Sequence, residues 1–241
     1  MSTQPAARGA STHRVVGIIG GMGPEATVEL MRRVTARTRA EDDEDHVHLL
    51  IESNPKIPSR IARLIDGTGP DPLPELVRIA RNLQGAGADG LAIPCNTAHH
   101  YAEQIEAAVT IPLLHMVKLT GARAAAAYPR ARVALLASTA VHRVGVYERE
   151  LAGRGLETAL PRRQEELMAL IRGVKRGETG AAAARQLAEI GADLGAPCDL
   201  ALIACSELSL ISAELASRVR VLDALDVLAG AIVEFAGARS R

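Results

Sequence analysis

The chain has 241 residues, enough for one large or two small domains with a sizeable hydrophobic core. Basic and acidic side chains both number 28, and aromatic residues make up 2% of the sequence. A neutral chain with so few aromatic rings argues against a nucleic acid or an anionic membrane as partner. No apolar stretch approaches the ~18 residues that a membrane-spanning helix needs. Residues 1–13 lack the apolar core of a signal peptide, so we expect a flexible tail there and a cytoplasmic protein.

In chain order, short apolar runs that predict strands alternate with patterns that predict helices. The predicted strands cover residues 15–19, 47–51, 90–93, 111–115, 133–136, 157–160, 200–203 and 219–222. The predicted helices cover residues 25–39, 61–65, 73–84, 98–109, 164–175, 181–194 and 223–235. This alternation is typical of α/β proteins built on parallel sheets.

The stretch from Leu91 to Thr97 places a cysteine at the end of a predicted buried strand. Pro94 ends the strand and Cys95 follows it. Asn96 and Thr97 are then residue types that cap helix N-termini. Open parallel sheets bind ligands at this edge, and the positive end of a helix favours a thiolate. Cys95 is therefore a candidate functional thiol, and the alternative is a small buried apolar residue.

The cysteine segment occurs twice in the chain. Residues 89–97 read DGLAIPCNT and residues 199–207 read DLALIACSE, so each has an aspartate six positions before a cysteine. The opening strands of the two halves are similar as well. We infer an internal duplication that produces two similar three-layer α/β/α halves with mainly parallel sheets, related by a pseudo-twofold axis. Their thiols, Cys95 and Cys205, would face one cleft between the halves.

The two cysteine segments occur together with a turn at residues 20–24 (GGMGP) and a segment at residues 54–60 (NPKIPSR). In this combination they resemble the aspartate/glutamate racemase family, most closely its aspartate racemase branch. The resemblance implies an isomerase that interconverts the L and D forms of aspartate, glutamate or a related amino acid. It further implies two cysteines as acid and base, no PLP or other cofactor, and a homodimer. We expect a first domain at residues 14–116 plus 223–241 and a second at residues 117–222.

A racemase removes the α-proton on one face of a planar carbanion and returns a proton on the other face. Two acid/base groups on opposite sides of the substrate can do this. A thiol suits the task because its pKa lies near working pH, so one cysteine can be a thiolate while its partner is a thiol. Amide, hydroxyl and backbone N–H groups that follow the two cysteines would bind the α-carboxylate.

The resemblance also implies a set of substrate-binding residues. These are Met22, Gly23, Arg60, Asn96, Thr97, Ala98, Lys175 and Ser206. Arg60 would pair with a carboxylate through two hydrogen bonds, and Lys175 would reach the substrate from the second half. The alternatives are a surface arginine and a helix-end lysine favoured by the helix dipole. His99 and His100 lie close enough in the chain to tune the pKa of Cys95, or they are surface or interface residues.

Several positions depart from the family pattern. Many relatives carry glycine, threonine, serine or histidine where this chain has Ala137, Val141, Val144, Ala224, Leu225 and Leu228. The loss of hydroxyl groups leaves the identity of the amino acid open. A less polar or bulkier substrate side chain is compatible with these residues.

Three other functions remain open on sequence alone. Residues 21–26 fit the G-x-G-x-x-A pattern of an NAD-type nucleotide-binding oxidoreductase, although the acidic partner, Glu52, comes later than usual. Cys95 alone could serve a decarboxylase, an isomerase or a Cys–His hydrolase. The chain could also be a small-acid-binding relative without activity. The sequence has no lysine motif for PLP and no zinc-ligand spacing, so we expect neither cofactor nor metal, and a structural role for Cys198.

Overall fold

The computed structural model describes residues 13–194 and 197–240, so the predicted tail at residues 1–13 lies outside it except for His13. The strands are β1 (Val16–Gly20), β2 (Leu49–Ser53), β3 (Gly90–Ala92), β4 (Leu113–Leu114), β5 (Arg132–Leu136), β6 (Glu157–Ala159), β7 (Leu200–Ile203) and β8 (Val221–Asp223). They form two parallel sheets with the orders β2-β1-β3-β4 and β6-β5-β7-β8. The equal orders confirm the predicted pair of similar α/β halves. Below, the first half means the chain through β4, and the second half means the chain from there through β8.

Helices cover both faces of each sheet. They are α1 (Pro24–Arg37), α2 (Leu73–Gly85), α3 (Ala102–Glu106), α4 (Met116–Ala127), α5 (Thr139–Val144), α6 (Val146–Ala152), α7 (Gln164–Lys175), α8 (Ala181–Ala192), α9 (Ala213–Ala216) and α10 (Ala224–Ala236). The last helix, α10, packs against both α1 and α4. Across residues 13–194 and 197–240, no helix is long and apolar enough to cross a membrane.

The alternation of side chains along the central strands builds one shared core and two outer cores. Ile18 of β1 and Leu135 of β5 belong to a single cluster between the sheets, which also holds side chains of α1, α4 and α10. Their chain neighbours Ile19 and Leu136 point the other way, each into the outer cluster of its own half. Because both faces of these strands are buried, their sequences are nearly continuous apolar runs.

The aspartate that opens each repeat aligns the third strand of its sheet with the first. Asp89 Oδ2 accepts a hydrogen bond from the Val15 amide at 2.7 Å, and Asp199 Oδ2 accepts one from the Arg132 amide at 2.8 Å. The two aspartate amides donate back to the carbonyls of Val15 and Arg132, at 2.8 and 2.9 Å. The sequence repeat therefore corresponds to a repeated structural device, which sets each cysteine at the same edge of its sheet.

A buried ion network joins α1 to the end of the second sheet. Arg33 donates to Glu29 and to Asp223, in both cases at 2.7 Å. It also donates to the Ser209 carbonyl at 2.8 Å. Ser209 lies four residues after Cys205, so this network ties the second cysteine segment to the first half.

The segment after Cys95 differs from the prediction of one long helix. The chain instead forms a 3₁₀ helix at Thr97–Tyr101, followed by the short α3. Asn96 stands at the N-cap but makes no capping hydrogen bond, because its side chain binds residues of the other half. The helix predicted after Arg60 is a π-helical turn at Ala62–Asp66.

Candidate active site

Cys95 and Cys205 lie at the carboxyl edges of the two sheets, after β3 and β7 respectively. In each sheet this strand and the opening strand are central neighbours, and their connections run to opposite sides. That is the ligand-binding position of open parallel sheets. Both cysteines are 7% exposed, and both line one cavity between the halves.

Both halves contribute to the wall of this cavity. The lining residues are Met22, Ser59, Arg60, Ile61, Cys95, Asn96 and Thr97 from the first half, and Ser138, Val141, Lys175, Ala204, Cys205, Ser206 and Glu207 from the second. Of the predicted site residues, two are missing from this wall. Gly23 lines a neighbouring cavity, and Ala98 is fully buried in the outer core of the first half.

The two cysteine segments contact each other directly. Asn96 Nδ2 lies 3.4 Å from Ser206 Oγ, and that hydroxyl donates to the Pro94 carbonyl at 3.0 Å. The hydroxyl of Tyr147, a fully buried residue of α6, donates to Asn96 Oδ1 at 2.7 Å. The amide and hydroxyl expected to bind a carboxylate therefore hold the two segments together. No local sequence pattern indicated Tyr147, because its partner lies far away in the chain.

Glu207 is the neighbour of Cys205 that the sequence patterns did not indicate. The Cys205 thiol donates to Glu207 Oε2, with a sulfur–oxygen distance of 3.0 Å. Lys175 Nζ lies 3.4 Å from Glu207 Oε1, within ion-pair distance but outside hydrogen-bonding geometry. Burial raises the pKa of the Cys205 thiol well above its ordinary value, and Glu207 raises it further while Lys175 opposes the change. The expected thiolate-favouring environment is therefore absent at Cys205. A comparison of the two cysteine segments would have indicated Glu207. Two positions after the cysteine, the first half has Thr97 and the second half has Glu207.

His99 holds the backbone of Cys95. Its Nδ1 lies 2.9 Å from the Cys95 carbonyl oxygen, and its Nε2 accepts from the Met116 amide at 3.1 Å. The ring is therefore the neutral tautomer with the proton on Nδ1. Burial, together with the His115 ring 4.8 Å away, lowers the pKa of His99 to about 3. His99 is thus a buried positioning residue, whereas His100 is exposed.

The two predicted cations both reach the cavity. Arg60 Nη1 donates to the carbonyls of Ile57 and Pro58, at 3.4 and 3.0 Å. Its Nε is buried and has no hydrogen-bond partner within the described residues. Lys175 ends α7, and its side chain is 41% exposed despite the ion pair with Glu207.

A second, larger cavity adjoins the first. The two share Met22, Ser59, Arg60, Lys175 and Glu207. The added wall is mainly apolar and includes Pro24, Ala26, Pro55, Ile57, Val174 and Leu210. This second space offers room for part of a ligand that extends away from the thiols.

The glycine turn between β1 and α1 is explained by close packing. Gly21 has φ +90°, and a Cβ on it would lie 2.4–2.5 Å from the backbone atoms of Asn54. Its amide donates to Thr27 Oγ1 at 2.9 Å. The turn therefore needs glycine for contact with the loop after β2, and a bound phosphate is not required to account for it. The acidic residue of the nucleotide hypothesis, Glu52, pairs with Arg78 at 2.6 Å.

Most positions that depart from the family pattern lie away from the cavity. Val141 lines the cavity, and so does Ser138, which follows Ala137 in the chain. Ala137, Ala224, Leu225 and Leu228 are buried in the shared core. Val144 is half-buried and outside the cavity wall. Val141 is therefore the departure that makes the cavity itself less polar. Within the described ranges, no group of three or more His, Cys, Asp or Glu residues is placed to hold a metal ion.

Comparison with known proteins defines the class. Residues 19–232 match the model of the Asp/Glu/hydantoin racemase family. The broad specificity amino-acid racemase RacX of Bacillus subtilis (strain 168) is 26% identical over 224 residues, which span 91% of this chain and 96% of RacX. The Picrophilus torridus aspartate racemase structure superimposes with a TM-score of 0.86 at 30% identity, covering 95% of this chain and 96% of that one. Glutamate racemase from Campylobacter jejuni subsp. jejuni shares the fold, with a TM-score of 0.67, 12% identity, and coverage of 94% and 87%.

The chain belongs to the Asp/Glu/hydantoin racemase family. It is an amino-acid racemase, an isomerase with the two-lobed α/β fold of its relatives. The expectation drawn from the cysteine segments and the loop at residues 54–60 is therefore confirmed at the level of family and reaction class. The alternative of a nucleotide-binding oxidoreductase is wrong.

Proposed function

We propose that the cavity between the halves is the active site and that Cys95 and Cys205 are its two acid/base groups. One observation carries this proposal: topologically equivalent, equally buried thiols reach a single cavity from opposite halves. An α-carbon between them would present one face to each sulfur. The reaction is racemisation of an α-amino acid without a cofactor.

In each turnover one cysteine acts as thiolate and removes the α-proton, so that the Cα–H bond breaks and an S–H bond forms. The partner thiol then gives its proton to the opposite face of the carbanion. The carbanion needs positive charge near the α-carboxylate, whose charge rises in the transition state. Arg60 and Lys175 are the cations at the cavity wall, and Arg60 retains a free buried donor.

The choice of substrate follows from the two adjoining cavities. Aspartate is the amino acid to test first, because the structurally similar protein of Picrophilus torridus is an aspartate racemase. The second cavity, with its mainly apolar wall, favours longer side chains as well. We propose a range that includes aspartate and extends to amino acids with longer, less polar side chains. The name of the Bacillus subtilis relative, a broad specificity amino-acid racemase, is consistent with such a range.

The test is α-hydrogen exchange in D2O on a panel of single-enantiomer amino acids, followed by proton NMR and chiral chromatography. Aspartate, glutamate, alanine, leucine and methionine span the proposed range. Exchange accompanied by the opposite enantiomer supports racemisation. Loss of the α-signal from none of the panel would contradict the proposed function. Exchange of aspartate alone would contradict the extended range.

We further propose a homodimer that works in a reducing compartment such as the cytoplasm. The dimer rests on the resemblance to related racemases, and a sedimentation mass near the 25.4 kDa of one chain at micromolar concentration would contradict it. The compartment follows from the chemistry, because two reactive thiols that share one cavity must stay reduced. All three cysteines are free in the structure.

A further inference from the structure

We propose that the free enzyme keeps its catalytic proton on Cys205, with the S–H bond directed at Glu207, and that Glu207 makes the two thiols chemically unequal. The inference rests on the proposed two-thiol function. It adds an assignment of which thiol is the resting acid, and it names Glu207 as the positioning residue that sets this assignment.

The two thiols match in place and exposure but differ in a charged neighbour. Both follow the third strand of their sheet, and both are 7% exposed. Two positions after the cysteine, the first half has Thr97 and the second half has Glu207. A carboxylate favours the protonated thiol that can donate to it, whereas a hydroxyl carries no charge to oppose a thiolate.

The geometry strengthens this effect at Cys205. Glu207 Oε2 is 3.0 Å from the sulfur, and the carboxylate side chain is only 10% exposed. Ionisation of the thiol would place two negative charges at that distance in a space with little water. Coulomb repulsion at this separation is large when the groups are buried. The proton therefore stays on sulfur.

The other charges of the cavity do not reverse this preference. Its ionisable lining residues are Arg60, Cys95, Lys175, Cys205 and Glu207. Lys175 approaches the far oxygen of the carboxylate, at 3.4 Å, and its side chain is 41% exposed, so water screens part of its charge. Arg60 belongs to the opposite half, where carbonyl oxygens hold its guanidinium.

The resting form then suits one enantiomer. The substrate whose α-proton faces Cys95 gives that proton to the Cys95 thiolate, and the Cys205 S–H bond breaks to supply the other face. After this turnover the proton is on Cys95 and Cys205 is the thiolate. The return to rest requires one proton to leave Cys95 and one to reach Cys205, and repulsion between the Cys205 thiolate and Glu207 favours that return.

Site-resolved alkylation tests the assignment without relying on racemase activity. The protein is treated with iodoacetamide near pH 7.5, and the labelling rate of each cysteine is read by peptide mass spectrometry. Because only the thiolate reacts, each unit of pKa changes the rate about tenfold below the pKa. We expect Cys95 to react at least about tenfold faster than Cys205, although the two are equally exposed.

Variants at the neighbour separate charge from packing. Glu207→Gln keeps the shape but removes the charge, and it should accelerate labelling of Cys205 at least about tenfold while Cys95 is unchanged. Glu207→Asp retains the charge and should stay slow. Lys175→Met removes the opposing cation and should not accelerate Cys205. If Glu207→Gln does not fold, the parent decides. Its Cys205 labelling should rise almost tenfold between pH 9 and pH 10, whereas a thiol at the ordinary pKa of 9 would rise less than about twofold.

Equal labelling of the two cysteines in the parent, or no acceleration in a folded Glu207→Gln variant, would overturn the inference. The labelling result is separable from the proposed function. Slow labelling of Cys205 that Glu207→Gln accelerates, in a protein that exchanges no amino-acid α-hydrogen, would leave the Glu207 assignment standing and remove the racemase mechanism alone.

Discussion

Acidification from pH 7 to pH 5 should destabilise the fold through His99. This ring is buried, and both of its nitrogens are used, one toward the Cys95 carbonyl and one as acceptor from the Met116 amide. Protonation would turn the accepting nitrogen into a donor facing another donor. The folded protein therefore resists protonation of this ring, in keeping with its pKa of about 3.

The sign and size follow from linkage between protonation and folding. The ordinary pKa of the ring, 6.5, applies to the unfolded chain, and the folded value lies below it. As pH falls through 6.5, the unfolded state gains a proton that the folded state cannot take. Stability that is fully present above pH 6.5 is thus lost progressively toward pH 3. At pH 5 the loss amounts to about 2 kcal/mol from His99 alone.

Urea unfolding at pH 7 and pH 5 measures this effect when three proteins are compared. In His99→Gln the difference between the two pH values should be smaller than in the parent by about 2 kcal/mol. His100→Gln is the matched control, because it changes the adjacent, exposed histidine and should behave like the parent. His115, whose pKa burial lowers to about 4, is present in all three proteins. An undiminished pH effect in His99→Gln would refute the reasoning.

Two further predictions concern stability and use the same unfolding measurement. Gly21→Ala should cost more than about 2 kcal/mol, because strain at positive φ adds to a clash with backbone, whereas Gly177→Ala, with φ +94° and open space, should cost about 1 kcal/mol. Equal losses of stability in the two variants would show that the clash at residue 21 is relieved without cost. Arg33→Met should lower the free energy of unfolding by about 3–5 kcal/mol, because it leaves the buried Asp223 carboxylate without its ion-pair partner. Arg32→Met, at an exposed ion pair, should lower it by less than about 1 kcal/mol. A small loss in Arg33→Met would remove the buried network from the account of how the halves are joined.

The alternation of elements was predictable because the central strands β1, β3, β5 and β7 are buried on both faces and helices such as α2 and α7 have local periodicity. β7 and α7 begin and end as the patterns predict, and the paired cysteine segments were visible as a repeat. The aspartate of each repeat belongs to that signal, since Asp89 and Asp199 make the same pair of backbone contacts.

The hydrogen bonds that connect the site residues were not predictable, because the bonded residues are distant from each other in the chain. Asn96 and Ser206 were expected to bind the substrate, but their side chains contact each other across 110 positions. The hydroxyl of Tyr147, in α6, donates to the Asn96 side chain, and no residue near Tyr147 in the sequence indicates that contact. The repeat indicates what the two segments share, whereas Glu207, which stands where the first segment has Thr97, is a difference between them.

Deuterium exchange with three variants that each replace one cysteine tests the two-thiol mechanism most directly. Separate D- and L-substrates in D2O would be followed for α-hydrogen exchange and for appearance of the opposite enantiomer. Cys95→Ser and Cys205→Ser should both lose racemisation in both directions, because each turnover needs both groups and a serine hydroxyl does not ionise at working pH. Each should still exchange one enantiomer, and the two variants should favour opposite enantiomers. Cys198→Ser should match the parent, since Cys198 precedes β7 and is outside the cavity wall. Racemisation by Cys205→Ser at the parent's rate would contradict the mechanism and leave a single-cysteine chemistry at Cys95.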